Sequence, residues 1–528
     1  MKRRSMGRAA AAAVALATAA VPAVPGVAAA QGSTAAQEAP TARKGRANPL
    51  EGVWRADGYG LVAVVTGGRL TTYDVTAHSC VPGWITADRD ANSAPGPDGS
   101  VRFVHDDAAL TLTPRGADRL IDREEGSVGT KTLHRIDALP ALCTRPAPND
   151  PLSVFDRFAE SFAENYPFFA AKGIDWAREC ARARQGIGPA TTPDQLQQVF
   201  IGLLEKLGDA HTSLARVTDR PHGVYFGRRP DTVPPTDAEL ARFQQAVAAQ
   251  LVGPAQPFGN GLLTVGELPD GLRYLRVDGF GDYAPGFFSE QVKELDRALD
   301  ALLADPDGTT GLVIDVRANG GGSDALGLRI ASRLTDRPYV AYRKVARNDP
   351  ADPTKYTRPQ PITVRPSAGK HFTGPVALLT SAESMSAAET FTQALMGRSP
   401  RVVRIGQNTQ GVFSDVLIRT LSPDFLVGLP NEKFLTRGGT TFDGPGIPPH
   451  LRIPVFRPDD LAVLRDPALS TARRVLTGDA LNAAPGDPGA QDGQDGQDAQ
   501  GDQDAQDGLD AQDGLDAQDA QGDHSDRP

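Results

Sequence analysis

Hydrophobic residues follow three different patterns in three successive regions of the chain. In residues 49–145, short apolar or alternating runs such as Leu61–Val65 and Val101–Val104 are separated by Gly, Asp, Asn and Pro clusters. This pattern is typical of strands joined by turns and predicts a small all-β barrel or sandwich. In residues 152–216, apolar residues recur at three- and four-residue steps, which predicts helices. In residues 259–478, apolar and amphipathic runs alternate, which favours a layered α/β core.

Individual elements are predicted within the last two regions. A helix is expected over Pro193–Leu207, with Gly208 as its C-cap residue. The aromatic stripe from Phe155 to Phe169 is interpreted as core rather than as a ligand groove, and residues 217–258 as a linker that contains one helix. In the α/β region the predicted strands are Leu272–Val277, Gly311–Val316, Val376–Leu379 and Val402–Ile405, and the predicted helices are Phe288–Leu303, Asp324–Leu334 and Ala387–Met396.

Neither end of the chain has the composition of a folded domain. Residues 1–30 combine a basic start, an apolar stretch and a run of Ala before Gln31, which predicts a secretory signal peptide. The predicted signal peptide leads us to expect secretion to the extracellular or cell-wall space of a bacterium. Residues 31–48, which follow it, are interpreted as a linker. Residues 479–528 are rich in Asp, Gln and Gly and predict a disordered acidic tail. No later apolar run is long enough to span a bilayer.

Charge and cysteine content refine this picture. The 528-residue chain has a net charge of −10, but residues 484–528 contain 13 Asp and one Arg, so the rest carries +2. The acidity is a property of the tail, and no nucleic-acid partner is predicted. Three cysteines in an exported chain favour one disulfide and one free thiol. We predict a Cys80–Cys143 pair, because both fall within the one segment 49–145, and a packed structural thiol at Cys180.

The segment Thr380–Glu389 carries the strongest functional signal. It joins an apolar run to an amphipathic run, so Ser386 is predicted at the point where a strand passes into a helix. A hydroxyl at a helix N-terminus lies near unpaired N–H groups, which suits a nucleophile whose reaction creates an oxyanion. The same residues also fit a purely structural capping box, in which Ser386 caps the helix and Glu389 bonds back to it.

Two further segments favour the catalytic interpretation. In Asp315–Ser323 a predicted strand runs into three glycines, whose N–H groups can form a nest for an anion. The Lys and Ser/Thr of a phosphate-binding loop are absent there. His211 follows a predicted helix end, and histidine is the usual base for a serine nucleophile because its pKa lies near neutrality. Each segment alone also has a structural explanation, as a glycine-rich turn or an exposed loop histidine.

In this order and spacing the segments resemble the S41 serine peptidases, a family that includes C-terminal processing peptidases, the tricorn core and interphotoreceptor retinoid-binding protein modules. The resemblance covers roughly residues 152–455. It implies a ClpP/crotonase-like α/β peptidase core over residues 259–478 with a helical N-terminal subdomain. The motifs that carry it are Phe155–Trp176, Gly208–His211, Tyr274–Val277, Asp315–Gly322, Thr380–Glu389, Ile405–Gly406 and Asp443–Pro449.

The resemblance implies roles for individual residues. Ser386 matches the family nucleophile, and His211 matches the base of the Ser-His branch typified by tricorn. The Ser-Lys branch carries its lysine after Ile405–Gly406, where this chain has Gly411–Phe413, so a Ser-Lys dyad is excluded. No PDZ pattern is found between His211 and Leu272, and recognition of free C-termini is therefore not expected.

The acid that orients the base is left open between two carboxylates. Asp443 precedes the closing Gly-Ile-Pro-Pro motif at the family's acidic position, and Glu389 lies one helical turn beyond Ser386. Oxyanion stabilisation is expected from the backbone N–H of Ala387 and from one N–H of the glycine nest. The nest residues are Gly320, Gly321 and Gly322. The scheme needs no metal and no cofactor.

The sequence therefore predicts an exported serine endopeptidase that cleaves protein or peptide substrates through an acyl-enzyme. The alternative is a catalytically silent ligand- or partner-binding protein on the same fold, as in the retinoid-binding members of the family. Retention of a serine, a histidine, a glycine nest and an acid favours the enzyme, because a binding module needs none of them. The sequence leaves the oligomeric state open.

Overall fold

The computed structural model describes residues 48–217, 224–230 and 232–478. The predicted signal peptide, all but the last residue of the following linker and the acidic tail lie outside these residues. The first part of the fold is a closed barrel in which each antiparallel strand pairs with the next and β8 returns to β1. Its strands are β1 Gly52–Ala56, β2 Leu61–Thr66, β3 Arg69–Val75, β4 Cys80–Arg89, β5 Val101–His105, β6 Ala108–Arg115, β7 Arg119–Glu124 and β8 Lys131–Ile136.

The barrel follows from the alternation that the sequence shows. In β3, Leu70, Thr72 and Asp74 are buried while their neighbours are half-buried or exposed, as expected when successive side chains point to opposite faces of a strand. Trp54 and Phe103 fill the barrel interior together with smaller aliphatic residues. The all-β prediction is confirmed, and the structure selects the barrel over the sandwich.

The cysteine prediction is also confirmed. Cys80 and Cys143 form a disulfide that ties β4 to a short 3-10 turn, Ala141–Thr144, just after the barrel. Cys180 is a buried free thiol, and burial raises its pKa to about 12, which leaves it as an unreactive neutral thiol at physiological pH.

Three helices follow: α1 Pro151–Asn165, α2 Trp176–Arg184 and α3 Pro193–Leu207. A capping box formed by Thr192 and Gln195 starts α3, and Gly208, with a φ of 51°, ends it, which confirms the predicted bounds. The aromatic stripe packs as core, as expected. Its rings contact one another and Trp176 in tilted arrangements, and Phe158 stacks on Phe200.

The centre of the remaining fold is a seven-stranded sheet with the order β11-β12-β13-β14-β17-β18-β22. The strands from β13 to β22 in this order are parallel. Helices α5–α7 pack on one face, and α4 and α9 pack on the other. The strands are β11 Gln256–Phe258, β12 Leu263–Glu267, β13 Leu272–Val277, β14 Gly311–Asp315, β17 Val376–Thr380, β18 Val403–Gly406 and β22 Leu451–Arg452; the helices are α4 Asp237–Ala248, α5 Phe288–Leu302, α6 Asp324–Ser332, α7 Ala387–Met396 and α9 Pro467–Leu476.

Two smaller antiparallel sheets flank this core, with orders β10-β9-β20-β19 and β16-β15-β21. Their strands are β9 Ser213–Arg216, β10 Val224–Phe226, β15 Tyr339–Ala346, β16 Gln360–Val364, β19 Val416–Ser422, β20 Phe425–Pro430 and β21 Glu432–Leu435, and a short helix, α8, spans Pro458–Ala462. The α/β prediction is confirmed, although the helix expected to reach Leu334 ends at Ser332. No helix among the described residues is long and apolar enough to cross a bilayer.

The barrel packs directly against the α/β part. A buried ion pair joins Asp74 of β3 to Arg419 of β19 at 2.9 Å, and the Thr420 N–H donates to the same carboxylate at 2.9 Å. Removing one partner of such a pair leaves an uncompensated buried charge, at a cost of about 3–5 kcal/mol. The sequence showed the barrel as a separate region, and the structure adds this interface.

Candidate active site

Ser386 lies between β17 and α7, at the carboxyl edge of the central sheet where ligand sites of α/β folds usually form. Its backbone has a φ of 55°, a left-handed conformation that costs a non-glycine residue free energy and clusters at functional sites. The Ser386 N–H donates to the Val412 carbonyl at 3.0 Å. This side chain is half-buried, and so it stands at the N-terminus of α7 with access to solvent.

The glycine nest follows the neighbouring strand, β14, and reaches the same edge. Gly321, with a φ of 102°, packs against Ser386 so closely that an added Cβ would lie 2.5 Å from the Ser386 Cβ. The Gly321 N–H donates to the Asn319 side-chain oxygen at 2.8 Å. Among the described residues, no acceptor engages the backbone N–H groups of Gly320, Gly322 or Ala387. These three groups can therefore donate to a new oxyanion.

Hydrogen bonds join the two loops that carry the nest and the serine. The Met385 N–H donates to the Asn319 carbonyl at 3.0 Å, and the Ser384 hydroxyl donates to the Val316 carbonyl at 2.8 Å. Arg317 anchors the nest loop through a buried pair with Asp315, and it also bonds Asp466, the N-cap residue of α9, at 2.7 and 2.8 Å. The nest and Ser386 are thus fixed relative to each other.

His211 lies on the loop after α3. Its backbone N–H donates to an Asp209 carboxylate oxygen at 3.0 Å, and the Tyr166 hydroxyl donates to the other oxygen at 2.7 Å. Burial lowers the pKa of His211, because desolvation disfavours the imidazolium. The charges of Asp209 and Asp415 and a hydrogen bond with the Ser414 backbone oppose this shift without cancelling it. A neutral imidazole at physiological pH is the form that a general base needs.

One segment connects the serine to the histidine. Val412 accepts from the Ser386 backbone, and the backbone of Ser414, two residues later, lies close enough to the His211 imidazole to act on its pKa. The loop after β10 meets the same region, because the Arg228 guanidinium donates to Glu383 at 2.9 Å and Arg229 binds the Gln410 carbonyl at 2.8 Å. Residues distant in sequence are therefore brought together around residues 409–415.

Glu389 holds this segment from one side. Its carboxylate accepts from the Gly411 and Val412 N–H groups, both at 2.7 Å, and from the Ser386 N–H at 3.3 Å. Burial raises the pKa of Glu389 to about 8, although these hydrogen bonds act in the opposite direction. Its contacts support the capping interpretation of the Ser386–Glu389 spacing alongside a role in fixing the loop.

Asp443 holds the segment from the other side. It accepts from the Phe413 N–H at 3.2 Å and from the Thr441 hydroxyl. Burial raises its pKa to about 7, with a further contribution from the charge of Asp209. Neither Asp443 nor Glu389 hydrogen-bonds His211 within the part of the chain that the structure describes, where the buried His211 Nδ1 has no partner. The orienting acid stays a prediction.

With the geometry in place, comparison with known proteins identifies the family. Residues 271–453 match the model of peptidase family S41. The chain therefore carries a peptidase S41 domain. It is a serine-type peptidase, a hydrolase whose substrates are peptides or proteins. The matched segment contains the glycine nest, Ser386 and Asp443 but begins after His211, so the family match does not bear on the base.

Comparison with solved structures shows a similar fold in one of them and weaker similarity to others. A putative peptidase from Parabacteroides merdae is 22% identical, with 64% of this chain and 100% of that chain covered and a TM-score of 0.54. Mature CPAF complexed with lactacystin is 13% identical, with coverages of 63% and 98% and a TM-score of 0.45. The tricorn protease is 15% identical, with coverages of 80% and 46% and a TM-score of 0.38. A search of curated protein sequences found no match.

Sequence reasoning missed several residues of this S41 site. Asp209 stands within the motif that indicated His211, yet only the structure shows its carboxylate beneath the histidine backbone. Tyr166 belongs to the aromatic stripe, and nothing in the helical spacing separates its hydroxyl role from core packing. Asn319 was read only as part of the glycine-rich turn, although an Asn two residues before a glycine is a signal for a side-chain-supported turn.

Proposed function

We propose that this S41 peptidase is an exported serine endopeptidase with a Ser-His mechanism. Ser386 Oγ attacks the carbonyl carbon of a peptide bond while the His211 imidazole accepts the hydroxyl proton. The tetrahedral intermediate then collapses, the C–N bond breaks, and the imidazolium gives its proton to the leaving amine. Water, deprotonated by the same imidazole, hydrolyses the resulting acyl-enzyme and frees Ser386.

The oxyanion of the intermediate is assigned to two backbone donors. The Ala387 N–H is one of the unpaired groups at the start of α7, where the helix dipole also favours negative charge. The second donor is the N–H of Gly320 or Gly322, because that of Gly321 already donates to Asn319. Loss of one such donor typically costs about 100- to 1000-fold in rate.

The observation that carries the proposal is the backbone of Ser386. A capping serine normally has an extended backbone, whereas Ser386 holds a φ of 55° against a glycine that leaves no room for a side chain. A simple cap gains nothing from this strain. It does bring the Ser386 hydroxyl next to the glycine nest, since a Cβ on Gly321 would lie 3.1 Å from Ser386 Oγ.

A fluorophosphonate probe tests the nucleophile directly. We expect labelling of the wild type at Ser386, located by peptide mass spectrometry, and complete loss of labelling and of casein hydrolysis in Ser386→Ala. Ser79→Ala, a barrel variant remote from the site, serves as the matched control. A wild type that hydrolyses no protein and takes up no label would favour the silent binding protein instead.

Export is the second part of the proposal. The Cys80–Cys143 disulfide supports it, because such bonds persist in oxidising compartments outside the cytosol. Cell fractionation with mass spectrometry of the mature N-terminus tests it. We expect the protein in the culture medium or cell wall with Gln31 as its first residue, and retention of an intact residue 1–30 segment in the cytosol would overturn the proposal.

A further inference from the structure

The turn between β7 and β8, residues 125–130, leaves the barrel and enters the peptidase part of the molecule. Val128 is 6% exposed and packs within the hydrophobic core that lies between the seven-stranded sheet and α5–α7. It does not belong to the barrel's own core. The barrel thus inserts a side chain into the peptidase core close to the candidate active site.

Gly126, two residues before Val128, contacts the oxyanion side of the site. The Gly126 carbonyl accepts from the Ser323 hydroxyl at 2.6 Å. Ser323 directly follows the glycine nest and caps α6, where its Oγ accepts from the Leu326 N–H at 3.3 Å. A Cβ added to Gly126 would lie 3.4 Å from the Ser323 Oγ and from the Phe288 ring. The turn therefore braces the end of the nest.

Ser127 contacts the histidine side. Its hydroxyl donates to Asp415 Oδ2 at 2.8 Å. The charge of Asp415 and the backbone of Ser414, the residue before it, both lie close enough to the His211 imidazole to act on its pKa. The Lys344 ammonium bonds the same Asp415 oxygen at 2.8 Å and the Val128 carbonyl at 3.0 Å. Burial acts to raise the pKa of Asp415, but the charge of Lys344 and the hydrogen bonds from Lys344 and Ser127 hold it below its usual value.

A second barrel residue closes this buried network. The Tyr59 hydroxyl donates to Glu432 Oε1 at 2.6 Å, Lys344 lies 3.1 Å from the same oxygen, and the Asp415 N–H donates to Glu432 Oε2 at 3.2 Å. Polar networks in a low-dielectric interior are rigid when every member is satisfied. The orientation of the segment that carries Ser414 thus depends on donors from the barrel.

We infer that the β7–β8 turn is a positioning element of the peptidase site, with Ser127 as a positioning residue for His211 through Asp415 and Ser414. The same turn holds the nest through Gly126 and Ser323, so three consecutive barrel residues reach both sides of the reaction centre. The inference rests on the proposed Ser-His function. It assigns the barrel a part in catalysis that neither the family match nor the S41 resemblance covers.

The barrel does not need this turn in order to stay attached. Asp74 and Arg419 form a separate buried pair, and the Thr76 hydroxyl donates to Glu160 of α1 at 2.6 Å. Thr76 therefore provides a matched control, because its loss removes a hydroxyl–carboxylate contact across the same interface but far along the chain from the network that reaches His211.

The test compares four full-length proteins: wild type, Ser127→Ala, Ser127→Thr and Thr76→Ala. The rate constant and the affinity for fluorophosphonate inactivation are measured separately, together with the melting temperature. For Ser127→Ala we expect the inactivation rate constant to fall roughly 10-fold, because small misplacements of catalytic groups are costly. Inhibitor affinity and melting temperature should change little. Ser127→Thr, which keeps the hydroxyl, should restore the rate constant.

Each outcome decides the inference. If the probe inactivates Ser127→Ala at the wild-type rate, the inference is overturned. It is also overturned if the inactivation rate constant falls equally in Thr76→Ala, because that result would indicate a general dependence on the integrity of the interface. If Ser127→Thr does not restore the inactivation rate constant, the proposed role of the Ser127 hydroxyl is contradicted. If the wild type takes up no label, the proposed function fails instead. The histidine Hε1 resonance of His211, followed by NMR in wild type and Ser127→Ala, then reads the positioning alone, and an unchanged resonance overturns the inference.

Discussion

The structure holds Ser386 and His211, the proposed nucleophile and the proposed base, by different means. Ser386 is fixed mainly through the backbone, by β17 before it, α7 after it and the nest loop of the strand that pairs with β17 in parallel. His211 is fixed by side-chain groups: Asp209, two residues before it, and Tyr166 and the segment around Ser414, which come from far along the chain.

This difference shows how the two sides are expected to respond to change. The serine side depends on backbone geometry, because Ser386 has a positive φ and packs so closely against Gly321 that no larger residue fits there. The histidine side depends on side-chain hydrogen bonds and buried charges, which tune the pKa and the orientation of one ring. Substitutions should therefore affect the serine side through sterics and the histidine side through electrostatics.

The largest effect is expected for His211→Ala. Loss of the base should lower kcat roughly 10⁶-fold, as removal of a single member of a catalytic unit does in serine peptidases. The melting temperature should fall little, because His211 is half-buried and its Nδ1 has no partner among the described residues. Kinetics with a fluorescent casein check this prediction. Retention of wild-type turnover would remove His211 from the mechanism.

Gly321→Ala tests the steric character of the serine side. The added Cβ would collide with Ser386, and we expect kcat to fall on the order of 100- to 1000-fold as the oxyanion donors move. Gly253→Ala is the matched control, since Gly253 also has a positive φ of 86° but nothing within 4 Å of the new Cβ. Backbone strain of about 1–3 kcal/mol is common to both variants. Equal activity in the two would exclude the collision as the cause.

Asp209→Ala tests the electrostatic character of the histidine side. It removes the acceptor of the His211 backbone N–H and a charge that raises the pKa of His211. We therefore expect kcat to fall roughly 10- to 100-fold and the pKa of His211 to decrease further. Tyr166→Phe, which removes one donor to Asp209, should act in a milder way. Asp194→Ala, whose side chain is 81% exposed, is the control. An increase in the pKa of His211 in Asp209→Ala would contradict this account.

The smallest effect is a displacement of the pH–rate profile. Because burial lowers the pKa of His211 from 6.5, the imidazole stays neutral further into the acid range. The value of kcat/KM should therefore rise with pH through a midpoint below 6.5, and this acid limb should lie lower still in Asp209→Ala. A midpoint above 6.5 would mean that a charged partner, rather than desolvation, dominates the environment of the histidine.

Much of the serine side was predictable from local sequence. The helix Ala387–Met396 and the strand Leu272–Val277 have the predicted bounds, because apolar spacing specifies elements that are fully covered on the sheet faces. The proximity of the nest to Ser386 also follows, since loops after adjacent parallel strands meet at one edge of the sheet. The strained φ of Ser386 was not predictable, because it depends on Gly321 and Val412 acting together.

The histidine side shows where sequence reasoning ended. Composition and spacing selected His211 as a candidate, but they gave no role to Asp209, Tyr166 or Asp415. They also treated the barrel as a separate region, although its β7–β8 turn reaches the site. The partners of a loop histidine come from several chain segments, and no periodic pattern records which of them meet.

The sequence by itself determined the order of elements, the disulfide and the S41 motifs, because these depend on local propensity, periodicity and residue type. Only the tertiary structure decided how the motifs become a site. In the folded protein the Gly321 N–H bonds the Asn319 side chain, and the candidate acids Glu389 and Asp443 accept from backbone N–H groups of residues 411–413. Burial in the folded protein also lowers the pKa of His211. Burial and long-range contacts set all of these, and they exist only once distant segments pack together.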